Sequence, residues 1–378
     1  MYSQQELDDA VSAGAISSAA ADALRAHVER QRSIAIPDEE QFRLLTGFND
    51  IFVSIAAAIL LFAVGWIGQS IGQAIGLAIH DTSGSGGWGP SFLAPLAVAG
   101  TAWSLALFFT ARRRMALPSI LLLLAFVGGT LAATGFLLVQ VIGAAQFNNN
   151  PSQLLPATVG AVSAAVAAAA AWLHWRRFHV PITVAAGAAA VAALFVAIVI
   201  AIVRPADSEA AKNIILGFVL LLGVGMFLFA MWWDASDRAR ITRRSDVAFW
   251  LHLLAAPMIA HPIFALLGLT SGTVGMGEAL MVVALYVVFG ITALAVDRRA
   301  LLVSALAYVL YALTELFKQF GAVELNVALT ALVIGSALLL LSAFWHQARR
   351  LVVAALPAGL QERLPNLDRI AVTAQPAA

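Results

Sequence analysis

The stretch 153-QLLPATVGAVSAAVAAAAAWLHWRRFHVPITVAAGAAAVAALFVAIVIAIV-203 holds two apolar runs, 153–175 and 180–203, with Arg176 and Arg177 between them. Each run is long enough to cross a hydrocarbon core of about 30 Å as a helix. A helix satisfies its backbone hydrogen bonds internally, and lipid offers no substitute for them. The pair therefore reads as two membrane helices turned back on each other at a charged corner.

The same reading extends along the whole chain. Of 378 residues, 61% are hydrophobic and only 11% charged, where a water-soluble domain carries about a quarter. The expected class is an all-α, polytopic integral membrane protein in contact with the lipid bilayer. Ten spans are expected, at 51–78, 91–111, 117–142, 153–175, 180–203, 213–233, 247–268, 278–296, 301–319 and 323–345. Residues 1–48 then form a polar hairpin and an amphipathic lead-in helix, 49–346 the transmembrane domain, and 347–378 an amphipathic tail.

Charge tests the count independently, because short cytoplasmic loops collect Lys and Arg. The turns after spans two, four, six and eight hold Arg112, Arg113 and Arg114; Arg176 and Arg177; Arg238, Arg240, Arg243 and Arg244; Arg298 and Arg299. The opposite turns hold only Arg204, Lys212 and Lys318. This alternation places both termini, each with four arginines, in the cytoplasm. Trp172, Trp175, Trp232, Trp233, Trp250 and Trp345 fall at the same span ends, where indoles suit the membrane interface. The first 50 residues carry nine of the 21 acidic groups and lack the basic and small-residue pattern of a cleaved signal peptide.

Residues 4–12 and 17–32 read as a helical hairpin, with Gly14 at a left-handed turn, Ser17 as N-cap, and Leu7, Val11, Leu24 and Val28 as the seam. The pattern Val11-x-x-Gly14-x-Ile16-Ser17-x-x-x-Ala21-x-x-Leu24, followed by many apolar spans, resembles a family of bacterial integral membrane proteins of unknown function. The resemblance implies a multi-pass protein of the bacterial inner membrane and supplies no active-site residues. Downstream of the spans, 349–370 is expected to lie in the interface, with Leu and Val on one side and Arg349, Arg350, Arg363 and Arg369 on the other.

Several classes of chemistry find no support. With no cysteine there is no disulfide, thiolate metal site or cysteine nucleophile. No phosphate-binding loop, nucleophile elbow or His-Glu-x-x-His motif occurs, and no histidines match in depth on two helices as haem ligation requires. The expectation is a protein that is not an enzyme and has no cofactor, no metal site and no catalytic residues. The net charge of +1 gives no basis for a nucleic-acid partner.

Ionisable groups inside spans are costly unless they face protein, water or a partner, so they mark candidate sites. In span nine Ser304, Tyr308, Tyr311, Glu315 and Lys318 share one helical face. They form either a packing stripe anchored by a Glu315–Lys318 pair or the lining of a path in which Glu315 exchanges a proton. Span seven holds His252, His261, Pro257 and Pro262. Each proline frees a carbonyl four residues earlier, Leu253 and Met258, and predicts a kink or break. His261 and Glu315 both lie about 21 Å from their expected span starts, a depth at which they could meet. In span one Gly65, Gly68, Gly72 and Gly76 repeat at close-packing intervals, which suits either an internal helix contact or a homo-oligomer seam.

Two functions follow as expectations. One is a permease or proton- or ion-coupled secondary transporter of an unknown small solute or ion, with its path on spans seven and nine. The alternative is a non-transporting scaffold, sensor or complex subunit that acts through the N-terminal hairpin.

Overall fold

The computed structural model describes residues 10–24, 48–80, 88–149, 153–203, 208–238, 240, 242–269, 276–319 and 326–365. Leu7, Val28, the lead-in segment 38–47 and the tail beyond 365 lie outside those residues, as do the side chains of Tyr311, Glu315 and Lys318. The chain divides into two compact units. In the first, Gly14 takes φ +71° and the Ser17 hydroxyl accepts from the Ala20 N–H at 3.1 Å. The turn and cap expected there are both present.

The second unit is helical. Among the described residues its long helices are α1 (Phe48–Ala74), α2 (Leu93–Phe109), α3 (Ala116–Ile142), α4 (Leu154–Phe178), α5 (Ile182–Ile202), α6 (Glu209–Ala235), α7 (Arg243–Leu266), α8 (Met276–Val296), α9 (Ala300–Gln319) and α10 (Asn326–Ala343), followed by the shorter α11 (Trp345–Ala354). The first ten coincide with the ten apolar runs. Six of them, α1 and α3 to α7, are long and apolar enough to cross a membrane. The protein is therefore a multi-helix membrane protein in contact with lipid. Among the described residues two short strands interrupt the pattern, β1 (Ala78–His80) and β2 (Trp88–Ser91), paired antiparallel between α1 and α2.

The four arginine-bearing turns lie at one end of this body. Phe109 and Phe178, at the α2–α3 and α4–α5 turns, join one apolar cluster with Ala102, Ala106 and Leu122. Trp175 and Val184 then pack with Ala230, Trp233 and Val247 at the α6–α7 turn. Arg240 of that turn reaches the carbonyl of Val296 at 3.1 Å and the Asp297 carboxylate at 2.9 Å in the α8–α9 turn. The alternation of charge thus corresponds to an alternation of helix direction.

Backbone geometry separates the two ends as well. Among the described residues, Arg114, His179, Arg240 and Asp297 are the non-glycine residues with positive φ, one in each arginine-bearing turn. The reversals after α1, α3 and α7 use Gly76, Gly143 and Gly268 instead. Glycine enters the left-handed region without the steric cost other residues meet, whereas at the arginine end Arg240 and Asp297 offset that cost with the ion pair between them.

Small residues set the closest helix contacts. A Cβ on Gly68 would stand 2.7 Å from the carbonyl oxygen of Leu93, and one on Gly72 would overlap Ser91. Gly65 faces Val98, and Gly76 makes the turn that ends the helix. The glycine face of span one is therefore occupied from within the chain. Beside it, Gln69 donates to the Gly89 carbonyl at 2.9 Å and accepts from the Ser91 N–H at 2.8 Å, completing the edge of β2. The buried Ser91 hydroxyl donates to the Leu77 carbonyl at 2.6 Å.

Helix α7 remains helical through both prolines, so the chain does not unwind at either of them. It starts at Arg243 rather than 247 because the Thr242 hydroxyl accepts from the Arg244 N–H at 3.2 Å and Asp237 fastens Thr242 through two bonds of 2.8 and 2.7 Å. Gly223 of α6 sits against Met258, whose carbonyl Pro262 deprives of its helical donor; a Cβ there would come within 2.8 Å of that carbonyl.

The contact at Gly223 gives a direct test. Gly223→Val should destabilise the protein by about 1–3 kcal/mol through overpacking, whereas Gly225→Val, in open space on the same helix, should change little. Thermal unfolding in detergent compares the two.

Candidate functional site

Asp234 is the last acidic residue of α6 and is completely buried. A carboxylate taken from water this way needs hydrogen-bonded cations around it. Arg298 supplies two bonds, Nη2 to Oδ1 at 2.7 Å and Nε to Oδ2 at 3.3 Å. His252 Nε2 lies 3.1 Å from Oδ2, and Arg240 Nε stands 3.9 Å from Oδ1. Arg298 also donates to the Ser245 carbonyl at 3.0 Å. One carboxylate thereby holds the end of α6, the first turns of α7 and the α8–α9 turn together.

Asp297 makes a second centre in the same region. Its carboxylate accepts from Arg240 at 2.9 Å and from the Trp345 indole N–H at 2.9 Å. Arg349 Nε lies 3.7 Å away, and its Nη2 donates to the Pro365 carbonyl at 2.8 Å. The left-handed backbone at Arg240 and Asp297 aims these side chains inward. Arg349, expected on the polar side of an interfacial tail, instead shares the buried face of α11 with Trp345 and Val353. Trp345, expected as an interface anchor, is likewise buried and serves as a donor. Residues 345–365 therefore pack onto the helical body.

A second polar level lies farther along α7. His261 Nδ1 and the Tyr308 hydroxyl of α9 are 2.7 Å apart. The Tyr308 ring stacks on the fully buried Phe264, with centroids 4.2 Å apart and planes 10° from parallel. His261 itself is exposed. His252 and His261 are nine residues apart, so they lie about 14 Å apart along α7 on opposite faces; the first turns toward α6 and the second toward α9. Of the expected path residues, the structure joins His261 with Tyr308 and places His252 with Asp234. The side chains of Tyr311, Glu315 and Lys318 lie outside the described residues.

The ionic cluster carried a signal in the sequence that charge counting passes over. Asp234 and Asp237 precede Arg238 and Arg240, and Asp297 precedes Arg298. The arginine turns at 112–114 and 176–177 have no acid near them, and their arginines are exposed. An acidic residue is present in each turn that folds an arginine inward and absent from the two turns whose arginines all face out, although Arg243 and Arg244, near Asp246, are exposed as well. Among the described residues no group of three or more His, Cys, Asp or Glu side chains is placed to hold a metal ion. Comparison with models of known families, with curated proteins and with solved structures gave no match, so the chemistry of the site carries the functional argument.

Removing one partner of a buried ion pair leaves the other uncompensated, at a cost of about 3–5 kcal/mol. Asp234→Leu and Arg298→Met should each destabilise the protein on that scale. The double variant should recover a large part of the loss, since paired apolar replacements are often neutral. A double-mutant cycle on detergent unfolding curves reads the coupling, and simple additivity would show that the pair does not act as a unit.

Proposed function

We propose that the protein is a ten-span permease of the bacterial inner membrane, coupled to protons or ions, with both termini cytoplasmic. Its path would run along α7 and α9. The observation that carries this reading is the exposed His261 bonded to Tyr308 on the flank of a helix long enough to span the membrane. A polar pair on such a surface is costly against hydrocarbon, which favours a wetted or covered face. Histidine is suited to proton exchange near neutral pH, and Tyr311, Glu315 and Lys318 continue the face of Tyr308 on α9. In this scheme Asp234 and its cations form the cytoplasmic anchor against which the path opens.

A non-transporting subunit is the second reading, favoured by the burial of the densest polar cluster, which secures the segment up to Pro365 rather than lining an opening. Reconstitution separates the two. Proteoliposomes with an imposed proton gradient, challenged with a panel of small solutes, should show protein-dependent currents. Glu315→Gln should abolish proton coupling, and Tyr308→Phe should lower flux at least about tenfold, in the range of lost general acid–base assistance. A panel without any protein-dependent flux would favour the subunit, and unchanged coupling in Glu315→Gln would remove that carboxylate from the mechanism.

A further inference from the structure

From residue 82 to residue 206 the chain contains no acidic residue. That interval includes two of the arginine-bearing turns, with Arg112, Arg113 and Arg114 in one and Arg176 and Arg177 in the other. All five arginines are exposed. Among the described residues, none of them bonds to a carboxylate, and three of them lie against aromatic rings. The Arg113 guanidinium lies 5.5 Å from the Phe108 ring centroid, Arg176 lies 4.9 Å from Trp172, and Arg177 lies 5.7 Å from Phe178. The turns are neighbours, since Phe109 and Phe178 pack in one cluster.

At the same end of the molecule Arg240, Arg298 and Arg349 have carboxylates of their own chain within 4 Å. Those three arginines are thus neutralised internally, whereas the two acid-free turns are left to an external anion. The surroundings indicate its nature. Leu107, Phe108, Trp172 and Leu173 are exposed beside the arginines, at the ends of apolar helices where hydrocarbon meets headgroups. A ligand that matches both parts has an anionic phosphate and long acyl chains.

The geometry points to a binding site for anionic phospholipid, with phosphate groups between the α2–α3 and α4–α5 turns and acyl chains along α2 and α4. Guanidinium groups bind phosphate through forked hydrogen bonds, and basic residues beside apolar helices draw anionic lipid. Contact with aromatic rings limits the rotamers of Arg113, Arg176 and Arg177 and holds those three charges beside the helix ends.

The test uses full-length protein in neutral detergent, with the unfolding midpoint followed as dioleoylphosphatidylglycerol, dioleoylphosphatidylcholine, glycerol phosphate or polyglutamate is added. Phosphatidylglycerol should raise the midpoint, while the other three at equal concentration should not. Removing arginines one at a time as Arg→Gln should weaken the apparent lipid affinity about fivefold per residue, and Arg112→Gln/Arg113→Gln/Arg176→Gln should abolish the shift. Because these side chains are exposed, the triple variant should keep the wild-type midpoint in detergent alone. The control pair Arg243→Gln/Arg244→Gln, on the α6–α7 turn, should retain the shift. Equal stabilisation by phosphatidylcholine would overturn the proposal, and so would a full shift in the triple variant or its loss in the control pair. Stabilisation by glycerol phosphate would reassign the patch to a free phosphate, and by polyglutamate to an acidic protein.

Discussion

A carboxylate without water must be surrounded by donors, and Asp234 meets that requirement with groups drawn from distant parts of the chain. Arg298 and His252 bond to it directly, and Arg240 lies alongside. Those residues belong to two turns and a helix that could otherwise pack in several registers, because Leu, Val and Ala surfaces are tolerant of sliding. Directional bonds to a buried charge reduce that freedom. Arg240 then extends the constraint to Asp297, and Trp345 and Arg349 carry it into α11. Register at the arginine end is set by charge, while the helices beyond it are held by shape.

Much of this architecture was legible in the sequence because the bilayer imposes simple rules. Apolar runs of about twenty residues mark helices, and arginines every second turn mark alternating direction. Helices appear at the expected places from α1 to α10, and the turns at 112–114, 176–177, 238–244 and 298–299 meet at one end. Gly68 and Gly72 were also legible as a packing face, since small side chains at this spacing have few other uses in an apolar helix.

The inward folding of charge was the part that pattern reading missed. Positive-inside counting treats every arginine alike, yet Arg298 and Arg349 are buried and Arg113 and Arg176 are exposed. What differs for Arg298 is the neighbouring acid, together with the left-handed backbone at Arg240 and Asp297, which no hydropathy window registers; Arg349 has no acid near it in sequence and meets Asp297 only through the fold. The prolines of α7 were read as a kink or a break, and the break does not occur. Pro257 and Pro262 each remove a donor, but the helix persists where neighbouring helices support it, and Gly223 lies against the carbonyl that Pro262 frees. His261 and Tyr308 were expected on one path and are bonded, although depth counting had matched the histidine with Glu315, whose side chain lies outside the described residues.

The contact between Gly223 and Met258 has a mechanical side. Most helix pairs lock because side chains of one fit between those of the other, like teeth in a rack. Where a glycine rests directly on the partner's main chain there is no tooth at all, and backbone against backbone fixes the spacing of the two helices. Helices α6 and α7 meet in this way at Gly223, and Asp234 ties their shared end. The hairpin is gauged by main chain at one level and latched by charge at the other.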